Sequence, residues 1–561
     1  MSWKIIEKYR RILASETGAT PKNWGGKLTV CLVYPNRYRV AMGNLGFQAV
    51  YALLNAGPDV VCERAFLPDL EDLPEYRKSR TPLLSLESQR PLADFDLIAF
   101  SVSFESDYLN IPVIFSLAGI PPLAADRSGS MPLVLAGGAA LFLNPEPVAD
   151  FMDLVCIGEA EPLLPPLLES LKGGGSRQDI LKEAAGQTGI YIPSLYEAAY
   201  EGERLVSFRA RGTAPSRVKR VWEKDLDRHP TTSVILSPAA EFSDMFLVEL
   251  SRGCPRGCRF CAAGFIYLPY RQRTLEEIKD QVARGLAERD RVGLVGAALS
   301  DYRGIGELCS HILGSGGKIS VSSLRIDALD DEMIEVLKAS GHKTVALAPE
   351  GGSQRLRDVI AKGITEEQIL AACDRLVGKG ILNLKLYFII GLPTETDADI
   401  GEMIGLVQRI RERVIEAARK TRRLGSVTLS INPFVPKPFT PFQWCGMEDP
   451  ASLERKGKLL REAIGRLSNI DFQMESPRDA CLQALLSRGD RRLSAFLIKS
   501  GELGNWKKGA KALGLALGPI VCREIPLDEL LPWDFIEGGD RRRLEREYCQ
   551  AFGLDPDTRP E

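Results

Sequence analysis

Two series of short apolar runs separated by helical stretches organise the chain. The first is LTVCLVYP (28–35), DVVCERAF (59–66), DLIAFSVSF (96–104), MPLVLAGG (131–138) and DLVCIGE (153–159). Runs this short, bounded by Gly, Pro and Asp with helices between them, predict an open parallel sheet covered on both faces. Ligands of such sheets bind beyond the carboxyl ends of the strands, which gathers Asn36, Ser101, Ser103, Glu105, Gly137, Gly138 and Glu159 around one crevice. The second series is MFLVELS (245–251), VGLVGAALS (292–300), ISVSSLRID (319–327), TVALAPE (344–350), LKLYFIIGLP (384–393) and SVTLSINPF (426–434). Its helices are signalled in two places by capping boxes, Thr274 with Glu277 and Thr365 with Gln368. Six such units predict a partial (β/α) barrel with reactive groups at the carboxyl ends of its strands.

Alternation along the second series sorts the side chains, because residues two apart in a strand share a face. Glu249 with Ser251, Gly296 with Ala298 and Ser300, Ser323 with Arg325, Ala346 with Ala348 and Glu350, Lys385 with Tyr387, and Ser430 with Asn432 are small or polar sets suited to a lumen. Leu324, Val345, Leu347, Leu386, Phe388 and Ile390 are the alternates suited to packing against helices.

Boundaries follow from the pattern. Residues 1–27 read as a helix and entry segment, 28–172 as the parallel-sheet domain, 173–242 as a bridge opened by Lys172-Gly173-Gly174-Gly175-Ser176, 243–434 as the barrel and 435–561 as an extended and then mainly helical region. The segment PFVPKPFTPFQW, with its prolines and aromatics, reads as a rigid piece able to close the barrel mouth.

With 72 basic and 74 acidic residues the formal net charge is −2, which offers no global argument for nucleic acid or an anionic membrane. Basic runs at Arg419–Arg423, Arg488–Arg492 and Arg541–Arg543 have acids nearby and read as solvated helix faces. The start, MSWKIIEKYRRIL, is charged and amphipathic rather than a secretion signal, and no apolar run approaches the ~20 residues of a membrane span. A cytosolic location is therefore expected. Twelve cysteines in 561 residues do not make a disulfide scaffold, and their scatter suits a reducing compartment.

The chemistry concentrates in SRGCPRGCRFC. Cys254, Cys258 and Cys261 have the spacing CxxxCxxC, and Gly253, Pro255 and Gly257 allow a loop tight enough to wrap a cubane cluster held by three thiolates. Structural zinc is the competing reading, but zinc wants four closed ligands, and the next histidine downstream is His311, with no second cysteine knuckle. Cys31, Cys62 and Cys156 stand within apolar strand runs, where cysteine behaves as a small buried hydrophobe.

The cysteine motif, with Phe260 just before its last cysteine, resembles the signature of the radical SAM superfamily. The resemblance implies a [4Fe-4S] cluster on Cys254, Cys258 and Cys261 whose open iron chelates S-adenosylmethionine. Reductive cleavage then gives a 5'-deoxyadenosyl radical, with a flavodoxin- or ferredoxin-type reductant as electron donor. It also implies roles at S-adenosylmethionine for Phe260, Gly296 and Ser300 of the GAALS stretch, Ser323 and Arg325 of SSLRID, Glu350, and Gly391 of YFIIGLPTET. The usual GGE is absent from GAALS. Arg325 offers a fork for a carboxylate and Glu350 an acceptor for ribose hydroxyls.

The first series resembles the cobalamin-binding domain found ahead of many radical SAM barrels. The implied fold is α/β throughout: a Rossmann-like parallel-sheet domain, a partial (β/α)6 TIM-type barrel, and a mainly helical C-terminal region. Ser101-Val102-Ser103 and Gly137-Gly138 match the segments that accommodate the corrin's nucleotide tail in that family. The D-x-H-x-x-G loop is absent, and residues 1–228 contain no histidine, so no imidazole from this domain would bind cobalt. A sheet domain that has lost cobalamin and serves as a lid is the alternative. Substrate is expected between barrel mouth and sheet domain, and methylation at an unactivated carbon is the reaction that cobalamin would imply. Two rivals stand beside it. One is a methylthiotransferase acting on RNA or protein, with a second cluster on Cys31, Cys62 and Cys156. The other is a non-enzymatic iron-sulfur or nucleic-acid-binding protein.

Overall fold

A computed structural model describes residues 1–321 and 324–555. The chain forms two compact units, one of Met1–Asp244 with Leu486–Ala516 and Asp528–Gly538, the other of Met245–Leu485 with Leu517–Leu527 and Gly539–Glu561. Residues 173–242 thus fall within the first unit, and the chain after 435 is shared between the two.

The first unit is built on a six-stranded sheet: β1 (Leu28–Tyr34), β2 (Val60–Phe66), β3 (Leu97–Ser101), β4 (Leu133–Gly137), β5 (Leu154–Cys156) and β6 (Ile190–Tyr191), in the order β2-β1-β3-β4-β5-β6. The first five strands are parallel and β6 is antiparallel to β5. Residues of β2 are buried on both faces, as expected of a sheet between helical layers. The two charged residues in that strand are accordingly partnered. Arg64 donates from Nε to Glu87 and from Nη2 to Glu16, both at 2.6 Å, beneath the Tyr51 ring. Glu63 accepts from Trp24, Ser85 and Ser88. These pairs fasten residues 1–27 to the sheet. β7 (Tyr196–Glu201) and β8 (Arg204–Ala210) form a hairpin, and β9 (Val218–Lys219) pairs with the short strand Ile536–Glu537. The returning segment docks by the Asn144 side chain, which donates to the carbonyls of Ser487 and Gly489, and by Arg491, which grips buried Glu146 at 2.9 Å and the Tyr191 hydroxyl at 2.9 Å.

The second unit opens with β10 (Phe246–Glu249), followed by a small antiparallel pair, β11 (Ser251–Arg252) and β12 (Arg271–Gln272). β13 (Arg291–Val295) and β14 (Lys318–Val321) complete a parallel sheet in the order β10-β13-β14. β15 (Thr344–Glu350), β16 (Asn383–Ile390), β17 (Val427–Pro433) and β18 (Ile470–Met474) form a second parallel sheet in that order. Among the described residues no ladder joins β14 to β15. In β15, β16 and β17 alternate residues are buried: Val345, Leu347, Leu386, Phe388 and Ile390 face the helical layer, while Ala346, Ala348, Glu350, Lys385, Tyr387, Ser430 and Asn432 are half-buried on the other face.

Three details correct the sequence reading. β13 ends at Val295, and Ser300 lies in a helical turn, because Gly296-Ala297-Ala298 has little strand propensity and Gly296 folds close to Ser251. Of the run 319–327, the described strand covers Lys318–Val321, Ser322 and Ser323 lie outside the described residues, and Ile326–Ala328 form a helical turn. The region after 450 is mainly helical, as expected, and adds one strand, β18, whose IDFQM carries no full apolar face since it is an edge strand.

Candidate active site and crevice

In the second unit the cysteine loop leaves the carboxyl end of β10 and is pinned at its base, where Ser251 pairs with Gln272 and Arg252 with Arg271. Glu249, the last residue of β10, latches this base: Arg252 Nε reaches its two oxygens at 3.1 and 3.0 Å, and Arg273 Nη2 reaches one at 2.8 Å. Gly253 is required here. Its φ is +86°, and a Cβ would lie 2.5 Å from the Tyr267 carbonyl oxygen. The loop then turns on itself, with the Cys261 N–H donating to the Cys258 carbonyl at 3.0 Å and the Gly264 N–H to the Cys261 carbonyl at 3.2 Å.

Burial pushes the Cys258 and Cys261 thiols up. On Cys258 the strongest charge is the Lys362 ammonium, which opposes that rise, and the Arg325 guanidinium acts in the same sense more weakly. Cys254 and Cys261 add to the rise at Cys258, and Cys254 adds to that at Cys261, as neighbouring thiols on one loop do. Lys362 is paired with Glu350 at 3.3 Å, each side chain 17% exposed. Glu350 takes a φ of +64° where β15 ends on an irregular register, and burial raises its carboxyl against the pull of Lys362. Arg325 donates to Asp327 at 2.7 Å, its backbone N–H donates to Ser300 Oγ at 3.3 Å, and its Nε is buried with no partner. Ser251 Oγ is likewise buried and unpartnered, 3.0 Å from where a Cβ on Gly296 would stand.

Not every expected residue converges. The Phe260 ring packs on an apolar cluster that includes Leu356, Ile360, Phe434 and Phe442. Gly391 donates its N–H to Glu395 at 2.8 Å, and Glu395 forms a buried pair with Lys456 at 2.7 Å. Ser323 lies outside the described residues. Among the described residues no three His, Cys, Asp or Glu side chains stand so as to hold a metal ion. The donor chemistry, three thiols with two cations facing them and two orphaned buried polar atoms on the neighbouring strand ends, suits an anionic thiolate-bound cluster with a polar ligand beside it.

Arg259 and Lys362 escaped the sequence reading. Arg259 is buried; its N–H donates to the Ile360 carbonyl at 3.0 Å, its Nη1 to the carbonyls of Asp358 and Val359, its Nε to Glu547 at 3.0 Å and its Nη2 to Gln550 at 3.3 Å. One arginine thus ties the cysteine loop to the end of the helix Gln354–Val359 and to the C-terminal helix Arg541–Phe552.

In the first unit the chain crosses from β1 to β2 on one side and to β3 on the other, so a crevice opens at their carboxyl ends. Ser101 pairs with Gly137 across β3 and β4, the Val102 N–H donates to the Gly137 carbonyl at 2.8 Å, and the Ala140 N–H donates to the Val102 carbonyl. Gly138, at φ +119°, stands so close that a Cβ would lie 2.3 Å from the Val102 oxygen. The two segments singled out from sequence are therefore locked to each other. Ser103 Oγ accepts from Asn44 at 3.0 Å, and Asn44 also caps the helix Leu45–Ala56. Asn36 donates to Asp107 Oδ1 at 2.8 Å, while Asp107 Oδ2 is buried and unpartnered. Burial, with a smaller push from the Glu105 charge, carries the Asp107 carboxyl up to about 7. Asp107 was not singled out, since SDYLN carries no motif.

Cys31, Cys62 and Cys156 are each buried, and burial raises all three thiols. β5 stands three strands from β1 in the sheet, roughly 14 Å at the usual strand spacing. Cys156 and Cys31 therefore cannot share one cluster without dismantling the sheet.

Residues 46–193 match the family model described as radical SAM proteins, N-terminal, and residues 248–407 match that of the radical SAM superfamily. An uncharacterised protein of Methanocaldococcus jannaschii is 32% identical over 476 residues, covering 83% of this chain and 90% of its own length. The chain belongs to the radical SAM superfamily, whose cofactors are a [4Fe-4S] cluster and S-adenosylmethionine. An uncharacterised methyltransferase of Pyrococcus horikoshii is 24% identical over 40% of this chain and 52% of its own. A tRNA-2-methylthio-N(6)-dimethylallyladenosine synthase of Thermotoga petrophila is 28% identical over 32% of this chain and 44% of its own. Among solved structures, the cobalamin-dependent S-adenosylmethionine radical enzyme OxsB with aqua-cobalamin and S-adenosylmethionine bound has a TM-score of 0.47 at 14% identity, over 94% of this chain and 79% of that one. The radical S-adenosylmethionine methyltransferase TsrM from Kitasatospora setae has a TM-score of 0.42 at 15% identity, over 72% of each chain. Among the described residues no helix is long and apolar enough to cross a membrane.

Proposed function

We propose that Cys254, Cys258 and Cys261 carry the cluster and that the enzyme reductively cleaves S-adenosylmethionine there. The observation that carries this reading is the loop itself: three thiols on one turn at the carboxyl end of β10, faced by Lys362 and Arg325. When bound, the cluster supplies the electron that splits the sulfur–carbon bond of the sulfonium. The protein's share is to hold and orient. Glu249 fixes the loop base through two guanidinium groups, and the orphaned Arg325 Nε and Ser251 Oγ are suited to the methionine end of the ligand. A one-electron donor of the flavodoxin or ferredoxin type would feed the site. Anaerobic reconstitution with dithionite tests it: Cys258→Ala should abolish 5'-deoxyadenosine formation, and wild-type rates in that variant would refute the assignment.

A second element of the reading is cobalamin in the first unit, with Ser101, Ser103, Gly137 and Gly138 lining its crevice and methyl transfer as the outcome. The orphaned Asp107 oxygen beside the β1/β3 reversal supports a polar ligand at that place. The glycine pair is less diagnostic, because the Val102 backbone already accounts for Gly138. Retention of a corrin absorbance band after incubation with hydroxocobalamin and gel filtration is the expected result. A methylthiotransferase reading has its support in the curated relatives, but a second cluster on Cys31, Cys62 and Cys156 runs against their positions in the sheet.

A further inference from the structure

Lys362 is one of the two cations beside the cysteine loop, and its position is tightly specified. The Arg259 N–H to Ile360 carbonyl bond and the Arg259 guanidinium on the carbonyls of Asp358 and Val359 bind the segment 358–360 directly to the stretch between Cys258 and Cys261. The chain then turns sharply, with Ala361 at φ +50° and Gly363 at φ +67°, and the Lys362 N–H returns to the Arg357 carbonyl at 2.8 Å. Glu350 reaches the same spot from the end of β15 through its own left-handed backbone at φ +64°. Two non-glycine residues in that region on opposing loops is a cost that a fold tolerates where position matters. The result is an ammonium, 83% shielded from solvent and anchored by a carboxylate at 3.3 Å, two residues beyond the Ile360 carbonyl that the Arg259 N–H of the cysteine loop holds.

We propose that Lys362 is a positioning charge for the cluster, held by Glu350, that makes acceptance of an electron easier. The inference rests on the assignment of the cluster to Cys254, Cys258 and Cys261. Each electron that enters from a flavodoxin- or ferredoxin-type donor adds one negative charge to an already anionic thiolate cluster. A fixed cation close by and out of bulk water stabilises the reduced state more than the oxidised one. Arg325 is likewise paired with a carboxylate, Asp327 at 2.7 Å, but its Nε is buried without a hydrogen-bond partner, which suits it to receive a ligand.

The experiment is potentiometry followed by electron paramagnetic resonance on the full chain, reconstituted anaerobically with iron and sulfide, without S-adenosylmethionine. Iron per chain is measured alongside, for wild type, Lys362→Gln and Lys362→Arg. The glutamine variant should keep its iron and shift its midpoint potential to a more negative value, and the arginine variant should lie near wild type. A wild-type midpoint in an iron-replete Lys362→Gln protein overturns the proposal, including the case in which its affinity for S-adenosylmethionine falls, which would make Lys362 a partner of that ligand's carboxylate. Loss of iron from both variants overturns it also, since the residue would then be needed for assembly alone. Failure of the wild-type protein to take up a cluster would refute the cysteine assignment beneath it, a result distinguishable from all of these.

Discussion

At the scale of single residues, Gly138 and Asp107 make opposite demands on the first unit. Gly138→Ala must place a methyl group 2.3 Å from the Val102 oxygen with a backbone at φ +119°. It should cost about 2–3 kcal/mol, read as a lowered thermal midpoint of the apo protein. Asp107 carries its carboxyl up to about 7 from an ordinary 3.8, so the folded state holds a proton that the unfolded chain has released across that interval. Its contribution is full below pH 3.8, falls as pH rises through about 7, and is on the order of a few kcal/mol. Denaturant titrations of Asp107→Asn between those pH values should therefore slope downward less steeply than those of the wild type. A ligand that donates a hydrogen bond to Oδ2 would lower this carboxyl and shift the same slope.

At the scale of elements, the C-terminal helix Arg541–Phe552 belongs to the cysteine loop as much as to the chain end. Glu547 and Gln550 grip Arg259, Arg543 lies over the Phe265 ring at 5.9 Å, and Tyr548 and Phe552 pack on the apolar cluster that receives Phe260. Removing Arg259 leaves the carbonyls of Asp358 and Val359 and the Glu547 carboxylate to find new partners. Arg259→Ala should cost about 2 kcal/mol or more. Its reconstituted protein should retain less than half of the wild-type iron after gel filtration, which a colorimetric iron assay reads directly. Glu547→Gln, which keeps an acceptor, should lose much less. The strands behaved differently from this helix under sequence reading. Alternation in TVALAPE and LKLYFIIGLP predicted which side chains meet the helical layer, because a two-residue period survives in any sheet with one apolar neighbour. The strand of GAALS ended early, since small residues give periodicity nothing to act on.

At the scale of the whole molecule, the order of strands decides between chemistries that share a motif. With β5 three strands from β1, Cys156 and Cys31 are separate core residues. Replacing Cys31, Cys62 and Cys156 together by alanine should leave iron per chain unchanged, at some cost in stability. A fall by about half would instead restore the methylthiotransferase reading with its second cluster. Position supports the first outcome: all three cysteines are packed in the sheet core, and Cys156 stands on a strand three places from that of Cys31.

What the residues by themselves determined is the local chemistry and the class of fold. CxxxCxxC sets thiols within one loop whatever surrounds them, apolar runs of strand length between helices demand a covered parallel sheet, and Gly253 and Gly138 record backbone approaches that no side chain allows. Only the tertiary structure decided which distant segments meet: Lys362 with the cysteine loop, Glu547 with Arg259, Glu395 with Lys456, and Arg491 with Glu146. Such pairings are made by long side chains between elements remote in the chain. Their energy depends on burial and exact approach, and neither leaves a period or a spacing in the sequence.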